Sequence, residues 1–135
     1  TSVYVGNSPW ALATIGTRVY VTLYNTGKVA IIDTNTNTLV GTVTVGQAPI
    51  ALATLGSKVY VANSESNSVS SIDTMNNNAV ETLAVGAFPQ GFTTSGQKVY
   101  VSNFDNSFIS VISQNVTALK NQRKLINQTI EFKNN

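Results

Sequence analysis

The chain of 135 residues contains no cysteine and no histidine. Without thiols there is no disulfide framework, no thiolate metal site and no cysteine nucleophile. Without imidazole the common zinc sites, a His or Cys haem ligand and a serine–histidine hydrolytic arrangement are excluded as well. Charge is also scarce. Asp, Glu, Lys and Arg make up 10% of residues, against about a quarter in an average domain. Thr, Ser and Asn fill the polar positions instead, which gives a polar but weakly charged surface. No apolar run approaches the ~20 residues that a membrane-spanning helix needs, and no N-terminal segment joins a charged start to an apolar core. The chain opens on Thr1 rather than Met, as a processed protein or an excised piece does, so export stays an open question. What remains is 42% hydrophobic, the composition of a globular domain.

That composition is ordered by a repeat. Val-Gly-x-x-Pro starts at Val5, Val45 and Val85, and Val-Tyr-Val returns at Val19, Val59 and Val99, a period of 40 residues. This is the length of one propeller blade. Within a period, β-branched and aromatic residues cluster in four short runs separated by turn residues, which predicts a four-stranded antiparallel meander. In the first copy the strands are expected at Trp10–Ile15, Arg18–Leu23, Lys28–Asp33 and Leu39–Val45. Gly16, Gly56 and Gly96 fall between the first and second strands, where a tight hairpin requires positive φ. Asp33-Thr34 and Asp73-Thr74 end the third strands, where a carboxylate accepts from a backbone amide two residues on and turns the chain.

The third copy follows the template through Ile112 and then departs from it, with Ser113 in place of the aspartate. Residues 1–113 therefore read as three blades, repeating at 6–45, 46–85 and about 86–125. Residues 114–135 form a basic polar extension. Val116, Leu119, Ile126 and Ile130 lie near helical spacing and Ala118–Lys124 is rich in helix formers, whereas Ile126–Phe132 reads as a delayed fourth strand. The expected compromise is a short helix and then a short strand. At the other end, Ser2–Gly6 occupies the register of Thr42–Gly46, as a fourth strand without its own blade. Such a strand is the common device for closing a propeller by completing the blade made at the other terminus.

The phrases Val19-Tyr20-Val21-Thr22, Val59-Tyr60-Val61-Ala62-Asn63 and Val99-Tyr100-Val101-Ser102-Asn103 resemble the YVTN β-propeller repeat, as do Val29–Asp33 and Val43–Pro49. The resemblance covers residues 1 to about 112. It implies an all-β propeller and a secreted or cell-surface setting like that of surface-layer proteins, and it fixes no activity, because related propellers carry haem, act on lactones or bind nucleic acid.

Propellers close with about four to eight blades, so three leave two blade faces bare. If each exposes on the order of 500 Å² of apolar surface, the loss is on the order of 12 kcal/mol, comparable to the stability of a whole domain. The expected solution is a homodimer: two chains head to tail about a two-fold axis, each supplying half of a six-bladed ring. In it, Thr1–Val5 of each chain completes the other's third blade.

The loops that gather on one propeller face carry the candidate binding residues Trp10, Tyr24, Ile50, Glu65, Phe88, Gln90, Phe104 and Asp105. The rings can form an aromatic platform for a sugar, a nucleobase or a protein, or they can pack between blades. Glu65 and Asp105 hold the same place in successive blades. Paired acids can do acid–base work or hold calcium, although a solvated loop explains them as well, and no catalytic residue, metal ligand or cofactor is assigned. Arg18, Lys58 and Lys98 recur as polar strand starts. The extension carries Lys120, Arg123, Lys124 and Lys133 against Glu131, a net charge of +3 that leaves −1 for the rest. Four cations so spread fall short of a dedicated nucleic-acid patch. Asn115-Val116-Thr117 and Asn127-Gln128-Thr129 match the glycosylation acceptor pattern, as chance allows in an Asn- and Thr-rich chain. The reading is a non-enzymatic scaffold with a protein or glycan partner on its loop face. An enzyme-type or metal site at the ring centre and single-stranded nucleic-acid binding are the alternatives.

Overall fold

The computed structural model describes residues 1–114. The extension's expected helix and strand, its two acceptor asparagines and its cations lie outside the described residues. Among the described residues, eleven strands form three antiparallel sheets. The first is β1 (Pro9–Ile15), β2 (Arg18–Leu23), β3 (Lys28–Asp33) and β4 (Thr38–Thr44). The second is β5 (Pro49–Leu55), β6 (Lys58–Asn63), β7 (Ser68–Asp73) and β8 (Ala79–Ala84). The third is β9 (Pro89–Ser95), β10 (Lys98–Asn103) and β11 (Ile109–Ser113), with no fourth strand among the described residues. In each sheet neighbours in sequence are neighbours in space. The sheets stack through their first strands, β1 against β5 and β5 against β9, as blades do around an axis.

Strand alternation gives each blade two apolar faces. The trailing face of the first blade, Tyr20, Val29 and Ile31, buries itself against the leading face of the second, Val59, Val61 and Ile72. Tyr60 and Val69 meet Val99 and Val101 in the same way. Leu52 and Phe92 join these layers from the first strands, and Val45 and Val85 from the linkers. The repeat thus encodes one interblade contact and uses it twice.

Local geometry explains the turns. Gly16, Gly56 and Gly96 adopt φ of 55°, 59° and 58°. Asp33 Oδ1 accepts from Asn35 N at 2.7 Å and Asp73 Oδ1 from Met75 N at 3.0 Å, so both aspartates are turn formers. At Ser113 that side-chain acceptor is gone, yet Gln114 N still bonds Gln97 O as Thr34 N bonds Thr17 O. Gly46 is required for a different reason: a Cβ there would lie 2.7 Å from Cβ and Cγ of Asn63.

The segment expected to complete a partner's third blade, residues 1–6, is seen here in a single chain. It forms no strand, because the blade edge that Val45 N meets through Gly27 O has no equivalent ahead of the first blade. Val5 instead packs on Val21, Leu23 and Ala30 of the leading face. Strand β1 also starts one residue early, at Pro9, with an irregular register up to Leu12.

Candidate functional site

Two loop sets share one end of the blades. The linker before each first strand holds a residue in the left-handed region, Ser8, Ala48 and Phe88, with φ of 57°, 49° and 53°. For residues with a side chain this costs roughly 1–2 kcal/mol each. The return is the same in every copy: the carbonyls of these residues accept from the backbone N–H of Tyr24, Ser64 and Phe104 at 3.0, 3.1 and 2.9 Å. The linker and the loop after the second strand are thereby pinned together, and in the first two blades the latter is a single 3-10 turn, Tyr24–Thr26 and Ser64–Ser66. Sequence reasoning missed this strain, since only glycine signals positive φ by its identity.

The four loop-face aromatics form two separate pairs. Trp10 meets Tyr24 with ring centroids 5.4 Å apart and planes tilted by 33°. Phe88 meets Phe104 at 6.1 Å, edge to face. Trp10 remains 65% exposed and Phe104 71% exposed, so neither is a plug between blades. Between the two pairs the equivalent positions are Ile50, half-buried, and Ser64, buried. Gln90, Glu65 and Asp105 are exposed.

Glu65 and Asp105 are not drawn into a shared site by any hydrogen bond among the described residues. Glu65 instead reaches across the first blade junction and accepts from Tyr24 Oη at 3.3 Å. Asp105 belongs to the loop pinned by its own N–H on Ala87 O. Among the described residues no three His, Cys, Asp or Glu side chains gather in a group able to hold a metal.

Tyr24 and Glu65 both line a cleft of about 830 Å³ between the first two blades, with Asn25, Thr26, Gln47 and Ser66 on its walls. Its walls are tied down: Asn25 Nδ2 donates to Ser8 Oγ at 2.7 Å, and Gln47 N donates to Ser66 Oγ at 2.6 Å. The volume falls within the range of about 300–1,000 Å³ typical of small-ligand sites. A second cleft of about 780 Å³ opens elsewhere on this junction, around Arg18, Thr17, Thr74 and Asn78, where Tyr20 Oη donates to Asn78 Oδ1 at 3.3 Å.

The shifted titrating groups lie at that second cleft or beside it. Burial pushes the Tyr20 hydroxyl up. The Asn35 amide, followed by the Arg18 guanidinium, holds the Asp33 carboxyl below its ordinary value. Arg18 pairs directly with Asp33, which gives this one strand-start cation a structural role.

Buried polar groups mark the junctions themselves. Asn63 Nδ2 donates to Ser68 Oγ and Ser70 Oγ at 3.1 and 2.9 Å, and Asn103 Nδ2 to Phe108 O and Ser110 Oγ at 3.1 and 3.0 Å. In the first blade the same two places are Leu23 and Ala30, both buried and apolar.

No family model matches the chain, and no curated protein does. Among solved structures the chain is similar to Kuenenia stuttgartiensis hydrazine synthase, with 28% identity, a TM-score of 0.73, and coverage of 79% of this chain and 33% of that one. It is similar to a functionally unknown protein from Desulfotomaculum acetoxidans, at 17% identity and a TM-score of 0.70, covering 82% of this chain and 39% of the other. It is also similar to a streptogramin B lyase, at 11% identity and a TM-score of 0.59, with 81% and 41% covered. The chain spans between a third and about two fifths of these three chains. These neighbours have propeller-type folds, in keeping with three antiparallel sheets that meet through their first strands.

Proposed function

We propose that the chain is a non-enzymatic propeller module of the YVTN type, completed to a six-bladed ring by a second copy, with a protein or glycan partner on its loop face. The observation that carries ring completion is a contrast within the repeat. Tyr20, Val29 and Ile31 are buried, as are Tyr60 and Val69, while Ile109 and Val111 at the same places in the third blade are 57% and 50% exposed. On the opposite flank Leu12 is 67% exposed, where Leu52 and Phe92 pack on a preceding blade. The bare trailing face of the third blade carries one half of the contact that the chain already makes twice, and the leading face of the first blade, open at Leu12 and covered by Val5 over Val21, Leu23 and Ala30, carries the other, so one fits the other in a head-to-tail pair.

The likeness to hydrazine synthase covers a third of that chain; this reading takes the blade architecture from it and not the activity. A secreted or cell-surface setting rests on the repeat resemblance. Recognition rests on the exposed Trp10 stacked on a half-buried Tyr24 at the edge of a tied cleft. The test is the mass in solution by light scattering. The expected result is twice 14.3 kDa, and a compact monodisperse monomer overturns the ring.

A further inference from the structure

The geometry points to a neutral saccharide as the ligand of the cleft at the first blade junction, with Trp10 and Tyr24 as its stacking surface and Glu65 as its principal hydrogen-bond acceptor. This rests on the loop-face recognition proposed above and names the chemistry that the face would take. Three observations favour it.

The first is the platform. Trp10 lies outside the cleft's own lining and extends it through Tyr24, which does line it: Trp10 is held in a tilted stack on Tyr24 yet keeps most of its surface in water. A large ring already immobilised offers apolar contact at little further entropic cost. The C–H face of a pyranose is a flat apolar surface of matching kind, and its rim of hydroxyls needs polar partners at the platform's edge.

The second is that edge. The lining supplies the Glu65 carboxylate, the Asn25 and Gln47 amides and the Thr26 and Ser66 hydroxyls. Carboxylates and amides can each engage two vicinal hydroxyls, through two acceptor oxygens or through an acceptor and a donor. The Tyr24 hydroxyl orients Glu65 from the neighbouring blade, so the acceptor is fixed relative to the platform.

The third is charge. The lining contains one ionisable side chain other than tyrosine, an acid, and no Lys or Arg. That disfavours phosphate, nucleic acid and acidic sugars, which a cationic site would attract. The site also occurs once. At the next junction Ile50 and Ser64 replace Trp10 and Tyr24, and the Phe88–Phe104 pair belongs to the third blade.

Trp10 is the chain's one tryptophan, so intrinsic fluorescence reports this site alone. The experiment titrates the full chain with cellotriose, maltotriose and chitotriose at millimolar concentrations, with inorganic phosphate and a single-stranded oligonucleotide alongside, and records mass by light scattering in the same samples. Saturable change in Trp10 emission is expected with at least one trisaccharide and with neither anion. Glu65→Gln should weaken that binding about tenfold, the loss of one charge-assisted bond. Trp10→Ala, followed by saturation-transfer NMR, should abolish it. Both side chains are exposed, so the variants retain the fold. Emission unmoved by all three sugars, or moved equally in Glu65→Gln, overturns the saccharide assignment, as does a response to the anions alone. A dimer without a sugar response removes only this inference, whereas sugar binding by a monomer removes only the ring.

Discussion

Replacing Ile109 by aspartate puts a charge on the bare trailing face of the third blade. In the isolated chain Ile109 is 57% exposed, so Ile109→Asp should behave as a surface substitution, shifting stability by about 0.5 kcal/mol and the melting temperature by less than about 4 °C. In a closed ring the same place becomes like Val29 and Val69, which are fully buried. Burying an aliphatic side chain is worth about 1.5–3 kcal/mol, so docking a blade over the exposed half of Ile109 gains about 1–1.5 kcal/mol. Aspartate forfeits that gain and buries an unpaired carboxylate, for a combined cost of about 3 kcal/mol or more per contact. A head-to-tail ring contains the contact twice, so its dissociation constant should rise by about four orders of magnitude. Sedimentation velocity across a dilution series reads this directly, and circular dichroism melts check the fold. A dimer that survives Ile109→Asp with unchanged affinity refutes the reasoning, because the face would then not be covered.

Asn63→Leu should cost about 1–3 kcal/mol in denaturant unfolding because Ser68 and Ser70 lose their buried donor. The double change Asn63→Leu with Ser70→Ala copies Leu23 and Ala30 of the first blade and should recover part of it, and equal losses in the two variants would count against the pairing. Gly46→Ala and Gly16→Ala separate two uses of glycine. The first overpacks against Cβ and Cγ of Asn63 and should cost about 1–3 kcal/mol, which Asn63→Ala should relieve only in part, because the Cβ contact remains. The second meets nothing within 4 Å but sits at φ 55° and should cost about 1–2 kcal/mol, with no relief from any neighbour. Asp33 has a folded pKa below its ordinary 3.8, so its contribution is fully present above that value and is lost as pH falls below it through the folded pKa. Acid unfolding should therefore show a loss below pH 3.8 that Asp33→Asn lacks, and identical acid limbs in the two proteins would exclude the link.

The fold was readable because the repeat states each rule three times. Strands β2 and β3 begin and end where the β-branched runs and the Asp33 turn place them, and the hairpin glycines have the positive φ their position demands. The site was legible only in part. The loop positions of Trp10, Tyr24, Phe88 and Phe104 follow from the period, but their division into two pairs depends on how each blade pins its linker to its 3-10 turn. That pinning uses Ser8, Ala48 and Phe88 in a conformation that residue identity does not advertise. The contact from Tyr24 to Glu65 joins residues 41 positions apart across a junction whose geometry no spacing encodes. The pairing expected of Glu65 with Asp105 came from repeat equivalence, and equivalence places residues on the same face without bringing them together. The Asn63–Ser70 pair was missed, though the change to Leu23 and Ala30 in the first copy marked those positions as coupled.

Because the chain has no cysteine, two introduced thiols test the head-to-tail ring with no background. Thr17 and Gln97 are exposed residues after the hairpin glycines of the first and third blades, and in the ring they lie at adjoining blades of different chains. An equimolar mixture of Thr17→Cys and Gln97→Cys chains, treated with a short bis-maleimide, should give a cross-linked heterodimer that neither variant yields alone. A cross-link formed by Gln97→Cys alone, or none in the mixture, would contradict the ring.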